Sequence, residues 1–268
     1  MKILMIGWNY QGEELRKDGN HSFYLCTALR KLGHEIHILT NRQNEEPLRE
    51  EAEGVIIHRV SPYGLPGEDF SKWMMHLNFA MVEEGVKLIS ALGKFDIIHC
   101  ESWSGLYAAK VLKNAYNIPL VAYISSTEHG RNRGIKSELQ HYISSAEWML
   151  TYEAWKIVVS ANEVKEELQS VFNTPKDKIF VMSGLNNREA SEEIQALEMS
   201  ADSILMVYEK VKEEVKGTQW DNIIEAPKKR TPRAKKKSEE KSEEKSAEAK
   251  ETEKPAKPKR TRKKAEVK

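Results

Sequence analysis

The densest group of side chains capable of acid–base or charge chemistry lies in the segment SSTEHGRNRG, residues 125–134. It carries a carboxylate, an imidazole and two guanidinium groups on Glu128, His129, Arg131 and Arg133. Such groups donate and accept hydrogen bonds, and together they can line a ligand site. They can equally pair with one another in a loop that caps the domain. The residues alone leave both alternatives open.

A second group, HCESW, begins at His99 and Cys100, where an apolar run ends. Histidine and cysteine are metal ligands, but no third ligand follows at a suitable spacing, so we expect a packed, hydrogen-bonded pair and no metal site. Cys26 is the other cysteine in the chain, and the two form no CxxC motif. This cysteine usage favours a reducing cytoplasm without disulfides.

Short apolar runs alternate with longer amphipathic segments along residues 1–182. The predicted strands are Ile3–Ile6, Ile36–Thr40, Val55–Val60, Phe95–Cys100, Pro119–Ile124, Ile157–Ser160 and Ile179–Met182. The predicted helices are His21–Leu32, Phe70–Leu92, Gly105–Tyr116, Ser137–Glu153 and Glu163–Val171. This alternation predicts an α/β fold with a mainly parallel sheet and helices on both faces.

In such sheets, ligands bind beyond the carboxyl ends of the strands. The loops expected to carry function are therefore residues 7–20, 61–69, 99–105, 125–136 and 183–188. The charged group at Glu128–Arg133 lies in one of them.

The charge of the chain is divided between an acidic body and a basic end. From Pro227 onward there are 18 Lys/Arg and 8 Asp/Glu, out of 42 basic and 41 acidic residues in the whole chain. The end has no aromatic residue, so we expect a disordered tail that binds nucleic acid only weakly and nonspecifically. No apolar run is long enough for a signal-peptide core or a membrane span, which favours a soluble cytoplasmic protein.

Several motifs together resemble glycosyltransferase family 4, the group that includes glycogen-synthase-like enzymes. They are the opening MKILMIGWNY, LRKLGHEIHILT, the central FDIIHCESWSGLYAAKVLKNAYNIPLVAYISSTEHGRNRG and the closing FNTPKDKIFV. The resemblance covers roughly residues 1–182. It implies a Rossmann-like three-layer sandwich, namely the N-terminal, acceptor-holding domain of the two-domain GT-B arrangement.

The resemblance also implies a set of ligand-binding residues. Family members keep a tryptophan at Trp103 and a Glu-His-Gly-Arg run at Glu128, His129 and Arg131, and a glycine-containing first loop here represented by Gly19. Ser125 stands where the family has its catalytic-site histidine, so no catalytic residue is predicted. The family's usual Gly-Gly pair is missing from the first loop, NYQGEELRKDGN.

The nucleotide-sugar donor domain that the family places after this domain is not recognised. We predict a family 4-like domain over residues 1–187, an amphipathic crossover-type helix over 188–220 and a tail over 221–268. The helix has an apolar stripe formed by Ile194, Leu197, Ala201, Ile204, Leu205, Tyr208, Val211 and Val215.

We therefore expect a subunit that is non-catalytic alone and binds a glycan or a glycosyltransferase partner, with no cofactor of its own. A homodimer through the surface that normally faces the donor domain is one form of this hypothesis. An alternative is an active transferase that uses a nucleotide sugar held by a separate donor-domain chain. Another alternative is a nucleic-acid-associated protein that acts through its basic tail.

Overall fold

A computed structural model describes residues 1–8, 21–43, 45–64, 69–182 and 190–221, with side chains except at positions 21, 23 and 190–199. The chain divides into two units, Met1–Lys228 and Lys229–Lys268. All the described residues belong to the first unit. Gly19, the last residues of the predicted family 4-like domain (183–187) and the predicted tail from position 222 onward lie outside the described residues.

One sheet organises the described part of the chain. Its strands are β1 (Lys2–Ile6), β2 (Glu35–Asn41), β3 (Arg49–Ala52), β4 (Val55–Val60), β5 (Ile97–Glu101), β6 (Leu120–Ile124), β7 (Lys156–Val159) and β8 (Ile179–Val181). Their order across the sheet is β3-β4-β2-β1-β5-β6-β7-β8. Every neighbouring pair is parallel except β3 with β4. The predicted α/β class with a mainly parallel sheet is confirmed.

Strand β3 was not predicted from the sequence. Its residues, REEA, include no large apolar side chain, so no hydrophobic alternation marks them. The strand lies at the edge of the sheet, antiparallel to β4. Charged side chains suit this position because they discourage further strands from pairing with the edge.

The helices cover both faces of the sheet. They are α1 (His21–Lys31), α2 (Phe70–Leu92), α3 (Leu106–Tyr116), α4 (Glu128–Asn132), α5 (Glu138–Glu153), α6 (Asn162–Phe172) and α7 (Ala190–Val215). Buried side chains of α2, α3, α5 and α6 share one apolar core, and those of α1 and α7 share another on the opposite face. The result is the expected three-layer arrangement.

Local signals in the sequence fix two of the helix starts. Asp69 accepts a hydrogen bond from the backbone N–H of Lys72 and so caps α2. Ser137 and Gln140 form a capping box at the start of α5. These caps satisfy backbone N–H groups that a helix leaves unpaired at its first turn.

Helix α7 packs its apolar stripe onto the sheet beside α1. Ala201, Ile204, Tyr208, Val211 and Val215 are buried there. The side chains at positions 194 and 197, also assigned to the stripe, are not among those that the structure describes. Among the described helices, none is long and apolar enough to cross a lipid bilayer.

Candidate functional site at the carboxyl end of the sheet

Two adjacent strands bring the predicted site residues together. β5 ends at Glu101 and leads into Trp103, while β6 ends at Ile124 and leads through Ser125 into α4. Glu128, His129 and Arg131 all lie in α4. Trp103 and the α4 residues therefore follow neighbouring parallel strands at the same end of the sheet. Gly19 is outside the described residues.

Trp103 sits in a tight turn that the backbone makes directly after β5. Ser102, just before it, has a positive φ of 69°, and Gly105 lies so close to β1 that an added Cβ would be 2.7 Å from Cγ2 of Ile6. This close approach requires a residue without a side chain at position 105. The turn thereby presses Trp103 against the core.

The indole of Trp103 is largely buried, with 8% of the residue exposed. It makes edge-to-face contacts with Phe70 and Tyr142, at centroid distances of 6.2 and 6.1 Å. Trp8 and Trp73 continue the group, since both pack on Phe70. This aromatic cluster (Trp8, Phe70, Trp73, Trp103 and Tyr142) joins the ends of β1 and β5 to α2 and α5.

Residues 128–132, which form helix α4, were expected to belong to a loop over 125–136. Thr127 begins the helix by accepting a hydrogen bond from the backbone N–H of Gly130, 3.0 Å away. Arg133 ends it with a left-handed φ of 51°. One helical turn thus projects the charged side chains that a flexible loop would leave unaligned.

Glu128 and Arg131 form an ion pair within this turn. Nη2 of Arg131 is 2.7 Å from Oε2 of Glu128, and Nη1 donates to both oxygens of Ser126, at 2.8 Å for Oγ and 3.2 Å for the carbonyl. Asn132 donates to the other carboxylate oxygen of Glu128. The sequence left open whether these charged groups line a ligand site or pair with one another. In the structure Glu128 and Arg131 pair with each other, and part of the Arg131 side chain still faces solvent.

His129 points to the neighbouring helix α6. Its Nδ1 is 2.9 Å from Oε1 of Glu167. The same carboxylate lies over Gly130, where an added Cβ would be 2.6 Å from Oε2. The glycine therefore lets α6 approach α4 closely enough for this contact.

Glu147 is a buried acid at this site that was not singled out from the sequence. Both of its carboxylate oxygens accept from the backbone N–H of Glu128 at 2.9 Å, and Nη2 of Arg131 is 3.3 Å from Oε1. Burial raises its pKa to about 7. The available signal was a glutamate on the buried face of α5, between Ile143, Ala146 and Leu150.

A buried polar chain reaches the same end of the sheet from α7. Oη of Tyr208 is 2.7 Å from Nδ1 of His99, and Nε2 of His99 is 3.6 Å from Oε1 of Glu101. Ser22, in the first turn of α1, donates to the other oxygen of Glu101. Burial raises the pKa of Tyr208, so its hydroxyl keeps the proton that it can donate to His99.

His99 and Cys100 are both fully buried and hydrogen-bonded, as predicted, although each bonds to a different partner. His99 binds Tyr208, while Sγ of Cys100 donates to the carbonyl of Ser102 at 3.3 Å. The two side chains of consecutive strand residues point to opposite faces, which prevents their pairing. Within the described ranges, no cluster of three or more His, Cys, Asp or Glu side chains has the arrangement of a metal site.

Ser125 is exposed at the end of β6, and its carbonyl accepts from Oγ of Ser160 at 2.9 Å. It therefore lies at the surface directly before the α4 segment. The end of the sheet offers hydroxyl, carboxylate and guanidinium groups beside an aromatic cluster. This combination can hydrogen-bond and stack on a polyhydroxylated ligand.

The sequence matches the family model described as Glycosyltransferase Family 4 over residues 19–184. It is 35% identical over 189 residues to an uncharacterized glycosyltransferase of Methanocaldococcus jannaschii, covering 69% of this chain and 47% of that protein. It is 27% identical over 197 residues to glycogen synthase of Mycobacterium tuberculosis, covering 68% and 47%. The chain thus spans about half the length of the curated relatives it matches.

Solved structures share the fold at low sequence identity. One sucrose-phosphate synthase chain from Thermosynechococcus elongatus superposes with a TM-score of 0.54 at 14% identity, covering 78% of this chain and 98% of that one. A longer chain of the same enzyme gives a TM-score of 0.53 at 14% identity, covering 68% and 47%. The described part of the chain therefore shares the fold of one part of that longer chain.

Proposed function

Because the chain belongs to glycosyltransferase family 4, we propose that its domain binds an acceptor glycan at the carboxyl end of the sheet and does not transfer sugar by itself. Transfer would require a donor-binding domain supplied from elsewhere. The binding face would be formed by the aromatic cluster and the α4 segment.

The connection between β8 and α7 carries this proposal. β8 ends at Val181 and α7 begins at Ala190, so only residues 182–189 join them. The family resemblance places the donor domain between these two elements. Eight residues cannot form a domain, and α7 returns at once to the sheet, where Tyr208 is fully buried. A donor domain that serves this site is therefore not inserted at this point.

The residue at position 125 supports the same proposal. A serine hydroxyl cannot carry a positive charge near neutral pH, whereas an imidazole can. Ser125 is exposed and lies where the family resemblance places the catalytic-site histidine. Position 125 therefore cannot supply the positive charge that an imidazolium would bring to a reacting sugar.

Glycan binding is supported by the chemistry of the exposed groups. Sugar rings present apolar faces that pack on aromatic rings, and hydroxyls that bond to carboxylates and guanidinium groups. Trp8 and Trp73 are partly exposed in the aromatic cluster, and Arg131 is exposed on α4 at the same end of the sheet. The same end of the sheet therefore offers both kinds of contact.

The test is a binding and transfer experiment on the purified full chain. Calorimetry with UDP-glucose and ADP-glucose should show no binding, and incubation with either donor and a glucan should give no transfer. Turnover by the chain alone would overturn the non-catalytic half of the proposal.

Titration with soluble glucans tests the binding half. Trp73→Ala should weaken glucan binding by about tenfold, since an aromatic contact contributes roughly 1–1.5 kcal/mol. Trp148→Ala is the matched control, because Trp148 is exposed on α5 and stacks only on Tyr152 among the described rings. Failure of every glucan to bind the folded chain would contradict this half.

A further inference from the structure

The carboxylate of Glu147 lies beneath α4 and contacts it at two points. The residue is 2% exposed, although it belongs to a helix with ample solvent-facing surface. Its oxygens accept the N–H of Glu128, the first residue of α4, and one oxygen lies 3.3 Å from Nη2 of Arg131. Glu147 is therefore joined to both the backbone and the cationic side chain of α4.

These contacts determine where the Arg131 guanidinium lies. Its Nη2 bridges the carboxylates of Glu128 and Glu147, while Nη1 binds Ser126. Arg131 is 42% exposed at its side chain, so the group so fixed also faces solvent. Without the Glu147 carboxylate, the described partners of the Arg131 guanidinium would be Ser126 and Glu128, which belong to its own segment.

Ionisation of the buried Glu147 destabilises the folded state. Burial raises its pKa from the ordinary value of 4.5 to about 7, which means that the folded state favours its neutral form. Its contribution to stability is therefore greatest at low pH and is lost as pH rises from 4.5 to 7. The charged groups that act on it are Arg131, which lowers the pKa, and Glu128, which raises it.

The hydrogen bonds of Glu147 to α4, in contrast, are strongest when its carboxyl group is ionised. A protonated carboxyl turns one acceptor oxygen into a donor and loses its charge, so it holds the N–H of Glu128 and the guanidinium of Arg131 less well. The ionised form thus orders α4 while it weakens the fold as a whole. An acid kept at such a cost at the ligand end of the sheet indicates a functional requirement.

We propose that Glu147 is a positioning residue that, as a carboxylate, holds α4 and the Arg131 guanidinium in the geometry used for ligand binding. For the ligand, this inference rests on the proposed glycan-binding function. It predicts that α4 loosens as pH falls below about 7, and that ligand affinity falls with it. The carboxylate touches no ligand itself.

Amide hydrogen exchange over residues 125–134 tests the positioning role without any ligand. In the unaltered chain, exchange corrected for its intrinsic rate should quicken about tenfold between pH 8 and pH 6. In Glu147→Gln it should be fast at both pH values, because the amide can offer one acceptor oxygen but no charge. Equal protection in the two proteins at both pH values would overturn the proposal.

Thermal unfolding distinguishes positioning from a merely structural contribution. At pH 8, Glu147→Gln should melt about 3 °C higher, because it removes the cost of a buried charge. Glu153→Gln is the matched control on the same helix. Glu153 pairs with Lys113 and Lys110, so its change should lower the melting temperature and leave α4 exchange unaltered.

Arg131→Gln provides a second variant should Glu147→Gln fail to fold. It removes the cation that favours the ionised acid, so the pH at which α4 loosens should rise by about one unit. An unchanged midpoint would overturn the proposal. If glucan binding is measurable, Glu147→Gln should weaken it about tenfold at pH 8. If no glucan binds even the unaltered chain, the proposed function fails, while the exchange result still decides the role of Glu147.

Discussion

The two ends of the parallel sheet are covered by different kinds of side-chain contact. At the amino end, Trp220 packs edge-to-face on Trp155, and a partly exposed ion pair joins Asp96 to Lys212 at 2.8 Å. At the carboxyl end, Glu147 is buried with a raised pKa. The amino end is thus built for stability, whereas the carboxyl end gives up stability to hold charged groups.

Replacement of Trp220 by alanine should remove the packing that closes the amino end of the sheet, and it should have the largest effect on the free energy of unfolding. The indole packs on Trp155 and lies under the ammonium group of Lys113 at 5.3 Å. We expect a loss of about 3 kcal/mol in the free energy of unfolding, measured with denaturant. Glucan affinity of the folded protein should not change. A loss under 1 kcal/mol would show that the amino end is closed by other contacts.

Gly105→Ala tests the carboxyl end through packing. The added methyl would lie 2.7 Å from Cγ2 and 3.3 Å from the carbonyl oxygen of Ile6, so the turn that carries Trp103 must shift. We expect about 2 kcal/mol of destabilisation together with weaker glucan binding. Gly64→Ala is the control, because no atom of the described part of the chain lies within 4 Å of its added Cβ, and its effect should stay within about 0.5 kcal/mol.

A buried histidine pair sharpens the contrast in pH dependence. His58 lies 3.0 Å from His37, and burial, with a smaller effect of His37, lowers its pKa to about 4. The contribution of His58 to the free energy of unfolding is therefore fully present above pH 6.5. About 2 kcal/mol of it is lost as the pH falls toward 4. This is the reverse of the direction expected for Glu147.

Denaturant unfolding between pH 4 and 8 measures both effects. His58→Gln should flatten the acid side of the profile, and Glu147→Gln should flatten the rise from pH 7 to pH 4.5. An acid side unchanged in His58→Gln would assign the acid sensitivity to other groups.

Lys212→Ala should have the smallest effect. The pair with Asp96 is partly exposed, with side-chain exposures of 43% and 35%. Such pairs contribute about 0.5 kcal/mol, and salt screens them. The loss should therefore shrink further in 1 M salt. A loss above 2 kcal/mol would show that electrostatics, and not the Trp220 contact, closes this end.

The fold was largely predictable because its signals are local. Val55–Val60 and Phe70–Leu92 have the predicted bounds, the first from an apolar run that His58 and Arg59 interrupt and the second from an amphipathic segment that ends at Gly93. β3 escaped prediction because its pairing with β4, and not its own composition, makes it a strand. Short α4 escaped for a similar reason, since contacts from α5 and α6 hold it.

The candidate site was predictable in position but not in its contacts. The carboxyl ends of β5 and β6 follow from the order of elements, so Trp103 and Glu128 were placed at the correct end of the sheet. The bond of Glu128 to Glu147 joins two helices across 19 positions, and that of His99 to Tyr208 joins β5 to α7 across 109 positions. No periodicity encodes such pairings, because they depend on side-chain geometry after packing.

The return of α7 to the sheet has a consequence for how the chain folds. It brings together residues far apart in sequence, since Tyr208 of α7 is 109 positions from His99, and Trp220, which follows α7, is 126 positions from Lys94. Contacts of such long sequence separation form late and slow folding. During synthesis, the apolar face lined by Leu25 and Ile38 therefore stays open until α7 has emerged. The interval before α7 docks is the period of greatest exposure to aggregation, and chaperone binding would be concentrated there.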